Sequence, residues 1–315
     1  MRILFMGTPD IAAACLTKLL DDGHDVIAVV SQPDKPKGRK YILTPPPVKV
    51  TAQERGIPVY QPEKMKDGEF EALLNELKPE LIAVVAYGKI LPKFALDYPR
   101  YGCINVHASL LPKYRGAAPM QRAIMDGETE TGVTIMYMAE GLDTGDMLTQ
   151  KSFPILPDDD FGTIHDRTAE LGGEMLSEAI GLIESGNITR TPQDDSLSNY
   201  AAKIEKEDCF VDFSLSAKKT DCIIRGLAPI PLAYTTMPDG KKLKIAKAYP
   251  IDKGGECGRV LECDAKGEGK IVVGCKEGAI VITALVPEGK GRMSSADFIR
   301  GRRINEGDVL GASEQ

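Results

Sequence analysis

The chain has 315 residues, is 43% hydrophobic and 27% charged, and carries a formal net charge of −7. That length suggests two domains, and the composition is that of a globular protein with a substantial core. The acidic total excludes a protein that holds nucleic acid by bulk charge alone.

The first half alternates apolar runs with helical patterns. Residues 2–6 (RILFM) read as a buried strand, and 9–23 (PDIAAACLTKLLDDG) as a helix with Pro9 near its start and Gly23 beyond its end. Strands are predicted at 25–31, 57–61, 80–88 and 102–107, with helices at 47–56 and 68–78 between them. The run ELIAVVAYG (80–88) has almost no polar residue, as a strand covered on both faces requires. This alternation predicts an open, mostly parallel α/β sheet of Rossmann type. Strands at 132–138 and 146–155 and a long helix at 163–186 follow.

The texture changes near Arg190. Residues 190–207 are polar and read as a linker. Beyond them short strand-like runs (209–214, 232–237, 242–251, 258–263, 270–275, 279–287) are broken by Gly, Pro and Asp, with helices at 216–227 and 294–303. Such spacing predicts a small β-barrel, OB-like in size. The expected organisation is a domain over 1–189, a linker over 190–207 and a barrel domain over 208–315. From Asp208 onward there are 17 Lys and Arg against 15 Asp and Glu, or +2, which leaves −9 for the rest. The C-terminal part therefore has room for a local basic face.

No apolar run approaches the ~18 residues of a bilayer-spanning helix. The start, MRILFMGTPD, lacks the features of a secretory signal. The seven cysteines contain no CxxC pair, so neither a zinc site nor a disulfide framework is expected. The expectation is a cytoplasmic chain without membrane segment or metal.

Three stretches carry chemistry. The loop SQPDKPKGRKYILTPPPVKV (31–50) holds five prolines and five basic residues between a strand and a helix. It is far longer than most strand-to-helix connections. A mobile surface loop and a basic finger that meets a polyanion through Lys35, Lys37, Arg39 and Lys40 are both open readings. In NVHASLLPKYR (105–115), Asn105 and His107 lie two apart at a strand end and so point to one face. That end is the carboxyl edge, where open α/β sheets bind ligands. An Asn can donate to a developing oxyanion and a His can move a proton. In EGLDTGD (140–146), again after a strand, Asp143 lies between two glycines that free the backbone to turn its carboxylate toward the same edge. A carboxylate there would fix the His tautomer and support its charged form; a plain turn residue is the alternative. No nucleophile elbow surrounds Ser109. The trio suits attack by a nucleophile that the substrate brings, and points to acyl or formyl transfer to an amine.

INVHASLLPKYRGAAPMQRAI followed by TGVTIMYMAEGLDTGDML closely resembles the folate-dependent formyltransferases. The leading GTPD, the loop QPDKPKGRKYILTPPPVKV and VVAYGKILP point within that family to the branch that formylates methionine carried by initiator tRNA. The resemblance implies the formyltransferase fold with Asn105, His107 and Asp143 as the catalytic trio. It also implies that Ser109, Leu110, Leu111 and Pro112 line the folate site, with Ala86, Tyr87, Gly88 and Ile90 beside the pterin. The donor implied is 10-formyltetrahydrofolate, with no metal. The acceptor implied is charged initiator methionyl-tRNA, reached through the loop around Arg39. Relatives often carry Trp near the SLLP and APIPLAY stretches; this chain has none and uses Tyr114 and Tyr234 there. Two other readings remain open: a formyltransferase for a small amine, and a non-catalytic RNA-binding protein. Supplying formyl donor and charged initiator tRNA separates all three.

Overall fold

The computed structural model describes residues 1–37, 41–66 and 68–311. In chain order come β1 (Ile3–Gly7), α1 (Asp10–Asp21), β2 (Val26–Val30), β3 (Lys35–Lys37), β4 (Ile42–Thr44), α2 (Pro47–Glu54), β5 (Val59–Tyr60), α3 (Glu69–Leu77), β6 (Leu81–Val85) and α4 (Lys93–Asp97). β7 (Cys103–His107), β8 (Arg115–Gly116), α5 (Pro119–Asp126), β9 (Glu130–Tyr137), β10 (Met147–Pro154), α6 (Phe161–Glu184) and β11 (Tyr200–Ala201) follow. The remainder holds α7 (Ala217–Leu227), β12 (Ala233–Thr236), β13 (Lys242–Ile251), β14 (Val260–Asp264), β15 (Lys270–Gly274), β16 (Ala279–Pro287), β17 (Met293–Ser294) and α8 (Ser295–Arg300). These elements form two compact units. The first comprises Met1–Gly116, Thr131–Phe153 and His165–Ala201; the second comprises Ala117–Glu130, Pro154–Ile164 and the chain from Ala202 on.

The first unit is built on the predicted open sheet, in the order β10-β9-β7-β6-β1-β2-β5. β1, β2, β5, β6 and β7 run parallel, and β9 returns antiparallel to β7. The apolar runs make both faces. Ile3 and Phe5 of β1 pack in one layer with Leu16 and Leu19 of α1 and Met175, Leu176 and Ile180 of α6. Leu4 and Met6 take the other face, with Phe70 and Leu74 of α3 and Ala95 of α4. Each fully buried side chain of this kind contributes about 1.5–3 kcal/mol. β7 follows the same alternation. Ile104 and Val106 join the first layer and Cys103 the second, so Asn105 and His107 take the face of Cys103. The strand order reverses between β1 and β6. There Thr8 Oγ1 and Gln32 Nε2 both donate to the Tyr87 carbonyl, at 3.0 and 3.1 Å, tying together the carboxyl ends of β1, β2 and β6. This is where ligands bind in open sheets.

The second unit is built on a six-stranded antiparallel sheet in the order β12-β13-β16-β15-β14, with β17 on β16. β13 breaks register around Lys247, a bulge that bends the sheet. Its core includes Ile245, Ile271, Ile280 and Ile282, closed by Ile224 and Leu227 of α7. α5 belongs here: Lys219 Nζ donates to the Met125 carbonyl at 2.6 Å, and Arg122 pairs with Asp208 at 2.7 Å.

Two stretches differ from expectation. Residues 209–214 make only a lone bridge between Phe210 and Tyr234. Asp212 Oδ1 accepts from the Ser214 amide at 2.9 Å, a turn that competes with strand pairing. Within the basic loop, β3 and β4 pair as a short antiparallel hairpin, Lys35 opposite Thr44, where no strand was predicted. Among the described residues no helix is long and apolar enough to cross a membrane.

Candidate active site

His107 closes β7 with only 5% of its surface exposed. Its Nε2 lies 2.9 Å from the Tyr114 carbonyl. A carbonyl only accepts, so that nitrogen carries the proton and Nδ1 is the one left to gain one. Nδ1 faces Asp143 Oδ2 at 3.7 Å. Asp143 is itself fixed: Oδ2 accepts from the Gly116 amide at 2.8 Å, and its backbone is left-handed with φ 53°. A non-glycine residue held in that region marks strain of the kind stored at functional sites. Asn105, two residues before His107, is half-buried on the same strand face. Among the described residues no hydrogen bond claims its side-chain amide, which leaves both its donors for a ligand. The three residues singled out from the sequence therefore share one sheet edge within the first unit.

The SLLP loop is held from below. Thr134 Oγ1 donates to the Ser109 carbonyl at 2.7 Å and accepts from the Leu111 amide at 3.2 Å. Gln150 Nε2 donates to the Leu111 carbonyl and to Thr134 Oγ1, both at 2.9 Å. Ser109 is fully buried and its hydroxyl donates to the Lys113 carbonyl at 2.7 Å. Leu111 is buried as well, whereas Leu110 and Pro112 are half-buried. Of the four, Leu110 and Pro112 are the ones that keep side-chain surface, and Ser109 and Leu111 set the loop's shape.

Beyond β6, Ala86 and Gly88 are exposed at φ 45° and 84°. A Cβ on Gly88 would meet nothing nearer than Gln32 at 4.0 Å. The main chain there is open. Ile90 is 82% exposed beside it. Tyr87 points the other way, buried, its hydroxyl donating to Met65 Sδ at 3.3 Å, and burial pushes the phenol up to about 12. The base of the hairpin is anchored by Lys49, whose Nζ meets both Asp34 oxygens at 2.9 Å and Gln61 at 2.8 Å. Tyr41, Ile42 and Leu43 are exposed on its far arm, as is Lys35 on the near one. Lys37 belongs to β3; Arg39 and Lys40 lie outside the described residues. Also among the described residues, no group of three His, Cys, Asp or Glu side chains could hold a metal ion.

Sequence reasoning missed Thr134, Gln150, Gln193 and Asn199. The last two come from the stretch read as a linker. Gln193 Nε2 donates to the carbonyls of Asp143 and Gly145, both at 2.8 Å, and Asn199 Oδ1 accepts from the Tyr114 amide. Polar residues in a polar stretch give no signal that their partners are distant loops.

Residues 1–180 match the family "Formyl transferase" and residues 203–303 the family "Formyl transferase, C-terminal domain". The methionyl-tRNA formyltransferase of Geobacter metallireducens is 49% identical over 311 residues, covering 99% of each chain. That of Bacillus subtilis is 46% identical, covering 100% of this chain and 99% of its own. Among solved structures, HypX from Aquifex aeolicus in complex with tetrahydrofolic acid aligns with a TM-score of 0.66 at 21% identity, over 100% of this chain and 51% of that one. A sugar 3N-formyl transferase, WlaRD, aligns with the same score at 18% identity, over 92% of this chain and 99% of its own. The chain belongs to the formyl transferase family, related over its full length to that family's methionyl-tRNA formyltransferases.

Proposed function

We propose that this chain moves a formyl group from 10-formyltetrahydrofolate to the α-amino group of methionine esterified to initiator tRNA, in the cytoplasm. The observation that carries the chemistry is the arrangement at the end of β7: an unclaimed Asn105 amide and a His107 whose proton-accepting nitrogen faces Asp143. The full-length relatives at 46–49% identity carry the choice of acceptor.

The residues divide the work as follows. An α-amino group has a pKa of about 8, so it is largely protonated at neutral pH and needs a nearby acceptor. His107 takes its proton at Nδ1, and Asp143 supports the imidazolium that results. The amine's lone pair then forms the new C–N bond at the formyl carbon, and the carbonyl electron pair moves to oxygen. Asn105 Nδ2 donates to that oxygen as its charge develops. The newly bonded nitrogen sheds its extra proton to water; when the pair returns, the bond to the folate nitrogen breaks, and His107 gives its proton to the departing nitrogen. The open main chain at Ala86–Gly88 receives the polar edge of the pterin, and Ile90, Leu110 and Pro112 supply apolar surface. Lys35, Lys37, Arg39 and Lys40 meet phosphates of the acceptor end. These phosphate interactions give affinity and register.

The test is formyl transfer by the purified chain supplied with 10-formyltetrahydrofolate and, in parallel, methionyl initiator tRNA, methionyl elongator tRNA and an amino sugar nucleotide. Formylmethionyl initiator tRNA should be the main product. Preferred formylation of the amino sugar, or no transfer to any acceptor, would overturn the reading.

A further inference from the structure

We propose that residues 191–201 form a positioning strap for the reacting groups, with Gln193 as its principal member. The inference rests on the reading of Asp143 and His107 as the reacting pair. The strap leaves α6 and first pairs with the start of β10, where Met147 and Thr191 exchange both backbone hydrogen bonds at 2.8 Å. It ends by pairing Tyr200 and Ala201 with Arg115 and Gly116. Between these ends, two side chains reach the two sides of the site.

Gln193 commits its whole amide there. Its Nε2 has two hydrogens, and the Asp143 and Gly145 carbonyls take one each at 2.8 Å. Its Oε1 accepts from Arg115 Nε and Nη2 at 3.0 and 2.8 Å. A carbonyl can only accept and a guanidinium can only donate, so the amide has one possible orientation. Arg115 is fixed in turn by Asp195 at 2.7 Å, and its side chain is only 11% exposed. The carbonyls that Gln193 holds belong to the left-handed Asp143 itself and to Gly145, two residues on. That clamp decides where the carboxylate sits against His107. On the other side, Asn199 Oδ1 accepts from the Tyr114 amide, and the carbonyl of Tyr114 is the group that faces His107 Nε2. One segment thus fixes the partners of both imidazole nitrogens.

The experiment is a double-mutant cycle between Gln193 and Asp143. Gln193→Glu keeps the length and the acceptor for Arg115 but replaces the donor that holds the two carbonyls. Displacing a reacting group by about 1 Å costs on the order of 10²-fold. We therefore expect Q193E to lower kcat by roughly ten- to a hundredfold, with KM for the formyl donor nearly unchanged and donor binding intact. In a chain already carrying Asp143→Asn, Q193E should lower kcat by no more than about twofold, because a clamp acting through the carboxylate has nothing left to position. Should Q193E not fold, Gln193→Met, of similar length and without either polar group, carries the same comparison. A full Q193E effect in the D143N background means that Gln193 does not act through Asp143 and overturns the proposal. So does wild-type kcat in Q193E while D143N is slow. Wild-type kcat in D143N itself would instead remove Asp143 from the mechanism, a different failure.

Discussion

Gly145 offers a sharp test of how tightly the Asp143 loop is built. A Cβ added at this position would lie 1.8 Å from the Tyr137 carbonyl oxygen, against the 3.4 Å at which ordinary contact begins. Gly145→Ala therefore falls about 1.6 Å short of the room it needs, the difference of those two distances. The backbone of β9 cannot yield easily, because Tyr137 N donates to the Asp146 carbonyl at 2.9 Å in the same turn and β9 is paired to β7 from Thr134 to Tyr137. The loop must move, and it carries Asp143, which sits 3.7 Å from His107. A shift of this size at a reacting group lowers turnover by on the order of 10²-fold. Steady-state kinetics on G145A with methionyl initiator tRNA should show kcat reduced by that factor and KM for the formyl donor little changed. Thermal unfolding should show a lower Tm, since the strain falls on the native state. A G145A protein with wild-type kcat would mean that the loop absorbs the clash without moving the carboxylate, and that its placement is not what sets the rate.

Gly181 makes the opposite prediction: it lies exposed inside α6 with nothing within 4 Å of an added Cβ. Gly181→Ala should stabilise the chain by about 0.5–1 kcal/mol and leave kcat alone, read by denaturant melts. In the second unit, Lys270 and then Lys253 hold the Glu262 carboxyl down to about 2 from 4.5. A depressed carboxylate contributes stability that is present above pH 4.5 and lost as pH falls toward 2. Tm against pH should therefore fall less steeply across that window in Glu262→Gln than in the wild type, and the gap should shrink in high salt. Arg39→Leu should weaken use of initiator tRNA while donor binding is unchanged. It should also reduce the slope of log affinity against log salt by about one for each phosphate that is no longer neutralised; equal slopes would mean that Arg39 is a solvated surface charge.

The sheet was legible because parallel strands covered on both faces must be apolar throughout: RILFM and ELIAVV became β1 and β6 with both faces buried. The placement of Asn105 and His107 on one face was legible for a different reason. Period-two geometry puts Asn105 and His107 on one face whatever the tertiary structure; the route to Asp143 was not legible, because β9 runs antiparallel to β7 and ends opposite Ile104, and only a loop that turns back brings the carboxylate to 3.7 Å from His107. The hairpin at 35–44 was not legible, since three-residue strands such as KPK and ILT carry no alternation to read. Nor was the strap. Gln193 and Asn199 satisfy groups 50 and 85 residues away in sequence, and such long-range polar pairings leave no local pattern. No element was read at 119–126, the residues of α5, which were placed only within the expected 1–189 domain. The assignment of α5 to the second unit depends on Met125 and Arg122 meeting residues near 208–219, which local periodicity does not encode.

The most direct test of the account is single-turnover formyl transfer by His107→Asn at saturating 10-formyltetrahydrofolate and methionyl initiator tRNA, with donor affinity measured by titration on the same protein. If the imidazole accepts the amine proton between Tyr114 and Asp143, the rate should fall by roughly 10²–10⁴-fold while donor affinity stays within about twofold. A rate within about threefold of wild type would remove His107 from the reaction, and with it the role assigned to Asp143.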